Sequence, residues 1–211
     1  MLLSIINIYI ISANIIMASL NLNYSRTVPN PIYTIPTFVS DDDQRCVNCL
    51  IEIPKGTINK YEYLNDIGLL KLDRVGYSSL AYPFSYGAIP CTLDEDGDPL
   101  DVMVVYETEK FFPGCLIEGR VIGVMKMVDG EEVDDKILVV PNNDKRYDHI
   151  NEINEIPEYL IKEFTYYWTH YKDMKKPGTV SIEGFLNSND AVDVIMKSIE
   201  RYEKEILPKL K

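Results

Sequence analysis

The sequence predicts an α+β fold, mainly β, and three observations carry that expectation. Short runs rich in Val, Ile and Leu, bounded by Gly, Pro or acids, follow one another from Leu50 onward. Two longer segments with helical spacing come after them. The 211 residues, 46% hydrophobic and 26% charged, suit one domain with a well-buried core. Strands first and helices last suggest a small closed barrel with helices packed outside it.

The chain opens on an apolar run, MLLSIINIYIISANIIM, with no Lys or Arg before Arg26. It lacks the basic start and the clear cleavage site of a secretory signal. It is shorter than the roughly 20 apolar residues of a membrane span, and Asn7 and Asn14 interrupt it. Residues 1–17 read first as an extension upstream of a start at Met17 and second as a targeting segment. The expectation is a cytoplasmic protein with no stable membrane association, with room left for a targeting signal. Residues 18–45 are polar, with Pro29, Pro31, Pro36 and the triplet Asp41-Asp42-Asp43, and read as an arm rather than a second domain. That leaves 46–211 as the domain.

Candidate strands lie at 69–72, 99–105, 116–127 and 137–140. A first helix is expected near Pro157, a residue suited to a first helical turn. It would place Leu160, Phe164, Tyr167, Trp168 and Tyr171 on one stripe. A second helix from about Asp190 would bury Val192, Ile195, Met196, Ile199, Tyr202 and Ile206. No internal repeat or low-complexity tract appears.

A net charge of −12 repels polyanions, and the Lys and Arg residues are scattered, so no nucleic-acid partner is expected. Four cysteines are too few for a disulfide scaffold of this size. Cys46-x-x-Cys49 has no second pair to complete a metal site, so ordinary thiols are expected.

The strongest chemical signal is Asp94-Glu95-Asp96-Gly97-Asp98-Pro99-Leu100-Asp101. Close carboxylates repel by about 4 kcal/mol per pair in a surface-like dielectric, so a fold that clusters them needs cations. Gly97 and Pro99 make a tight turn that can aim Asp96, Asp98 and Asp101 at one point. Oxygen-only ligands suit hard ions such as Mg²⁺. An EF-hand numbered from Asp94 fails, because its required Gly and Glu positions hold Pro99 and Val105. The bland alternative is a solvated acidic turn. A second cluster, Asp129-Gly130-Glu131-Glu132-Val133-Asp134-Asp135-Lys136, lies between two strand-like stretches. It is either a strand-to-strand turn or the other half of a multi-metal site, and sequence separation does not decide between them.

Several blocks now stand in order: Ile51-Glu52-Ile53-Pro54-Lys55-Gly56, Lys60-Tyr61-Glu62, Asp73-Arg74, Tyr82-Pro83-Phe84-Ser85-Tyr86-Gly87 and Asp96-Gly97-Asp98-Pro99-Leu100-Asp101-Val102. With the second acidic cluster, Tyr147-Asp148-His149-Ile150 and His170-Tyr171-Lys172-Asp173, they resemble the family I soluble inorganic pyrophosphatases over roughly residues 50 to 185. The resemblance implies a five-stranded OB-like barrel with two main helices outside it, and hydrolysis of pyrophosphate to two phosphates with several Mg²⁺ ions. It carries metal-binding roles onto Asp96, Asp101, Asp129 and Asp134. It makes Asp98 the acceptor of the attacking water's proton and Glu52 a supporting acid. Phosphate contacts fall to Lys60, Arg74, Tyr86, Lys136, Tyr171 and Lys172, with Glu62 and Tyr82 lining the same cavity. It also implies a homo-oligomer, a hexamer as in compact bacterial members. One departure is Gly130, where the family often has a second acid; Glu131 or Glu132 is then the substitute, or an outer metal binds more weakly.

Taken singly these residues say little. Tyr171 lies on a packing stripe, Lys60 and Arg74 read as surface charges, and Tyr82 and Tyr86 are two of fifteen tyrosines. His149 and His170 read as structural hydrogen-bonding residues. The rival from another class is an OB-like binding module without catalysis, which predicts a basic, aromatic groove. A degenerate relative predicts a broken carboxylate set, whereas Asp96, Asp98, Asp101, Asp129 and Asp134 are all present.

Overall fold

The computed structural model describes residues 30–64, 67–106 and 109–210. The apolar segment 1–17 lies outside them. The chain runs through α1 (Pro31–Thr34), β1 (Phe38–Ser40), β2 (Asp43–Ile53), β3 (Asn59–Tyr63), β4 (Leu70–Val75), β5 (Ser85–Ala88) and β6 (Asp101–Val104). It continues through β7 (Leu116–Asp129), β8 (Glu132–Val133), β9 (Lys136–Pro141), α2 (Glu158–His170), β10 (Val180–Leu186) and α3 (Ser188–Glu205). Strands β2, β5, β6, β9 and β7 pair in that order and β7 pairs back to β2, which closes a ring of five strands. The expected α+β barrel is what forms. Among the described residues no helix is long and apolar enough to cross a membrane.

Closing a barrel forces backbones together, and two glycines permit it. A Cβ on Gly87 of β5 would lie 2.0 Å from the Leu50 carbonyl oxygen of β2. A Cβ on Gly119 of β7 would lie 2.8 Å from both Cys49 Sγ and a Val139 methyl. Both distances are far inside contact, so each side chain would push the ring open.

Strand β9 is buried along its whole length, which is why 137–140 reads as an unbroken apolar run rather than an alternation. Val102, Val104, Ile137 and Val139 join one core cluster with Ala191 and Ile195 of α3. Met103, Leu138 and Val140 face a second cluster beneath α2. That cluster is aromatic: Phe84 stacks on Trp168 at 5.8 Å and meets Phe164 edge-on at 5.4 Å. Tyr82 lies 5.0 Å from Tyr167. Such pairs add about 0.5–1.5 kcal/mol beyond area burial.

The α2 stripe buries Phe164, Tyr167 and Trp168, with Leu160 and Tyr171 partly buried at its ends. Helix α3 rotates slightly from the expected face. Ala191, Ile195, Ser198 and Tyr202 are its buried line, while Val192 and Met196 are half-buried. Small residues let the helix approach the barrel more closely than the larger neighbours would.

Residues 30–45 of the polar arm are built into the fold. Strand β1 pairs antiparallel with β2 (Phe38 opposite Val47), with Asp41 and Asp42 at the turn between them. Ile32 is fully buried against Leu50 and Ala88. None of the four cysteines is in a disulfide, and burial pushes Cys46 up to about 11. Replacing Phe84 by Ala removes the centre of the aromatic cluster. It should lower the unfolding free energy by about 3–5 kcal/mol in a denaturant titration. A loss under about 1 kcal/mol would show that α2 docks without it.

Candidate active site

The register of the barrel decides where the acidic turns meet. Strands β6 and β9 are parallel, with Asp101 opposite Lys136 as the first residue of each. Strand β7 runs antiparallel to β9 and therefore ends at Asp129 on the rim where the other two begin. The turn before β6 and the hairpin between β7 and β9 are thereby gathered at one end of the barrel.

A cavity of about 400 Å³ opens there, and every site residue expected from the sequence lines it. Glu52 comes from β2, Lys60 and Glu62 from β3, Arg74 from β4, and Tyr82 and Tyr86 from just before and within β5. Asp96, Asp98 and Asp101 come from the turn into β6, Asp129 and Asp134 from the β7–β9 connection, and Tyr171 and Lys172 from the end of α2. The β3–β4 hairpin, a separate two-stranded sheet, sets Lys60 directly opposite Arg74.

The turn from 94 to 101 is held by its own backbone. Asp94 N–H donates to the Asp98 carbonyl at 2.7 Å, and Asp98 N–H donates to Asp96 Oδ1 at 3.0 Å. Gly97 takes φ +91, open to glycine at no cost. At the stem, Leu100 N–H donates to Thr92 Oγ1 at 2.9 Å, and that hydroxyl donates to the Ile89 carbonyl at 2.6 Å. Cys91 beside it has φ +54, a left-handed conformation costing about 1–3 kcal/mol for a residue with a side chain. Arg201 of α3 donates to the Leu93 carbonyl at 2.6 Å.

Charge is concentrated and unbalanced. Eight carboxylates line the cavity against four cations, Lys60, Arg74, Lys136 and Lys172. Lys136 is almost wholly buried, 2.5 Å from Asp101 Oδ2 and in a second ion pair with Asp134. Its ammonium also lies 5.4 Å from the Trp168 ring and 5.8 Å from the Tyr86 ring. Burial opposes its charge, but Asp101 and Asp134 hold it well above the ordinary lysine range. Lys172 pairs with Asp129, and the Tyr171 hydroxyl donates to the same carboxylate at 3.4 Å.

The acids respond to burial first and to one another second. Burial pushes Glu52 up to about 8, although the Tyr63 N–H that donates to its Oε1 at 2.9 Å pulls the other way. Burial, opposed by Lys136 and aided by Asp101, raises Asp134. Partial desolvation at the cavity mouth, then Asp96 and Asp101, raise Asp98. Burial raises Tyr86 and Tyr171, so both remain phenols at neutral pH.

Glu132, not Glu131, reaches the cavity. Gly130 at φ +71 makes the β7–β8 turn, which puts Glu132 opposite Asp129. Asp135 points away and pairs with Lys126. Trp168 and Ile32 also line the cavity and were not expected there. Trp168 precedes Tyr171 by three residues on the stripe, a spacing that could have flagged it; Ile32 carried no signal. Neither histidine lines the cavity: His149 is exposed, and His170 Nδ1 lies 2.7 Å from Asp173.

The family model described as inorganic pyrophosphatase matches residues 49–203. A soluble inorganic pyrophosphatase of Oryza sativa subsp. indica is 43% identical over 164 residues, 78% of this chain and 76% of its own length. An inorganic pyrophosphatase of Neisseria meningitidis serogroup B is 43% identical over 166 residues, 78% of this chain and 93% of its own. The crystal structure of an inorganic pyrophosphatase from Neisseria gonorrhoeae superposes with a TM-score of 0.76 at 40% identity, covering 81% of this chain and 98% of that one.

The raised Glu52 makes a pH prediction. The native state keeps a proton that the unfolded chain loses near the ordinary value of 4.5, so stability falls as pH rises from there towards about 8. Glu52→Gln removes this penalty. In metal-free protein it should gain stability relative to the parent by a few kcal/mol between pH of about 5 and 9. Parallel melting curves across that range would refute the buried neutral acid.

Proposed function

The chain belongs to the inorganic pyrophosphatase family and is a hydrolase that splits pyrophosphate into two phosphates; we propose that it does so with several Mg²⁺ ions and with Asp98 as the proton acceptor. The observation that carries this reading is the excess of carboxylates over cations in one cavity. An anion as charged as pyrophosphate is repelled by such a site unless cations enter with it. An OB-like binding module without catalysis would need the opposite charge, so that alternative is not favoured.

The residues fit a hard divalent ion. The donors are carboxylate oxygens, the ligand type of a hard ion; burial first, with neighbouring carboxylates adding to it, raises Asp98 and Asp134. Among the described residues no three acids, histidines or cysteines already converge as an ion site. Lys136 sits between Asp101 and Asp134, and Lys172 sits on Asp129. In the proposal Asp96, Asp101, Asp129 and Asp134 hold the ions, with Glu132 filling the place left by Gly130. When bound, the ions would offset the negative charge and lower the pKa of the attacking water.

The chain's own groups do the rest. Asp98 stands at the mouth with its carboxyl raised, so it takes up a proton more readily than a free aspartate. Lys136 and Lys172, released from neutralising carboxylates, face phosphate oxygens, and Arg74 can grip one bidentately. Lys60 adds charge, and the phenols of Tyr86 and Tyr171 donate hydrogen bonds. Glu52 and Glu62 support the network, with Tyr82 as part of the wall. We place the protein in the cytoplasm, which cysteines outside any disulfide fit. Assembly as a homo-oligomer, a hexamer, is part of the proposal; exposed Phe112, Tyr159 and Tyr166 supply apolar surface for it. Light scattering that returns a monomer at micromolar concentration would refute that part.

Asp98→Asn keeps size and removes basicity, so turnover should fall by about 10²–10⁴-fold with pyrophosphate affinity largely kept. Glu95 is exposed, points towards Arg201 and does not line the cavity, so Glu95→Gln should cost far less. Equal losses would mean a diffuse acidic patch. Phosphate release that persists after thorough chelation would end the metal reading.

A further inference from the structure

We propose that residues 30–36, outside the region matched by the family model, are a positioning element of the catalytic site that holds Cys91 in its left-handed conformation and so fixes the stem presenting Asp96, Asp98 and Asp101. Cys91 is the one non-glycine residue with positive φ among the described residues. Glycine would adopt that conformation freely, so at a cysteine the surroundings must impose it. Two contacts from the arm bear on it directly, beside the Tyr202 hydroxyl of α3 at its thiol and Thr37 Oγ1 at its carbonyl. The Cys91 N–H donates to the Ile32 carbonyl at 2.8 Å, and its thiol donates to the Ile35 carbonyl at 3.2 Å.

The arm is rigid enough to serve. Asn30 caps α1, accepting from Ile32 N–H at 3.0 Å. The Ile32 side chain is buried against Leu50, Ala88 and Tyr63. Asn48 Nδ2 donates to the Pro36 carbonyl at 2.9 Å, and Thr37 Oγ1 donates to the Pro90 carbonyl at 2.8 Å. Tyr33 stacks on Tyr202 of α3 at 6.1 Å. From Cys91 the chain enters a loop closed by Ile89 N–H to the Leu100 carbonyl at 2.9 Å. A rotation at Cys91 therefore swings the stem of the whole acidic turn. Ile32 also lines the cavity, and the ionisation of Tyr33 is opposed by burial first and then by the Asp98 carboxylate.

The proposal rests on the assignment of the three aspartates, and a double-mutant cycle tests it separately. Ile32→Ala should weaken Mg²⁺ binding in calorimetry and lower kcat about 10-fold, with KM for pyrophosphate changed less than about 3-fold. In a Cys91→Gly background, where the left-handed conformation is free, the same Ile32→Ala change should cost kcat less than about 3-fold. Thermal melting identifies any variant that fails to fold, and Ile32→Val then carries the same comparison. Equal losses in the two backgrounds, or an Ile32→Ala protein with unchanged Mg²⁺ binding and kcat, would overturn the positioning role. A parent protein that binds no Mg²⁺ would overturn the metal reading itself, and this proposal with it.

Discussion

A single buried ammonium organises the rim of this barrel. Lys136 enters the core at the first residue of β9 and is held between Asp101, its register partner on β6, and Asp134, two residues before it. Burying a charge costs several kcal/mol, and only close, hydrogen-bonded partners offset that. The parallel pairing of β6 with β9 supplies one partner and the short β7–β9 connection supplies the other. Slipping that register by one residue would turn Lys136 away from Asp101. Site geometry and barrel register are therefore one constraint.

The acids around this pair store unfavourable energy. Asp94 is pushed up to about 7 by burial, and Glu52 to about 8. A domain built for stability alone would replace such groups with apolar ones of similar size. Keeping them costs folding free energy that grows as pH rises towards those values. Elsewhere the barrel is correspondingly well packed, with both faces of β6 and β9 covered.

Much of this was legible in the sequence, because periodicity and turn chemistry are local. The α2 stripe from Leu160 to Tyr171, the strands at 116–127 and 137–140, and the turn built on Gly97 and Pro99 need only near neighbours to be recognised. What was not legible depends on register and on backbone conformation. Whether the cluster at Asp129 faces the one at Asp96 depends on which ends of β6, β7 and β9 share a rim. The choice of Glu132 over Glu131 follows from the positive φ of Gly130 and the pairing of a two-residue strand. The burial of Ile32 beside the cavity comes from an arm whose composition reads as polar linker. The face of α3 was read from its large side chains, whereas Ala191 and Ser198 make the closest approach.

The aromatic cluster joins core to chemistry. Trp168 stacks on Phe84 inside the fold, its indole N–H points at Met103 Sδ at 3.4 Å, and its ring also faces the Lys136 ammonium. Tyr82, Tyr86 and Tyr171 complete the same wall. Rings of this kind keep the local dielectric low, so each charge on the rim acts more strongly than it would in water. They also fix the end of α2, from which Tyr171 and Lys172 reach the carboxylate of Asp129. Loosening the packing under α2 would therefore reach the site twice, through the position of Lys172 and through the dielectric around Lys136. Folding and electrostatics share the same rings here, since Tyr82, Tyr86 and Trp168 belong to the core cluster and also line the cavity.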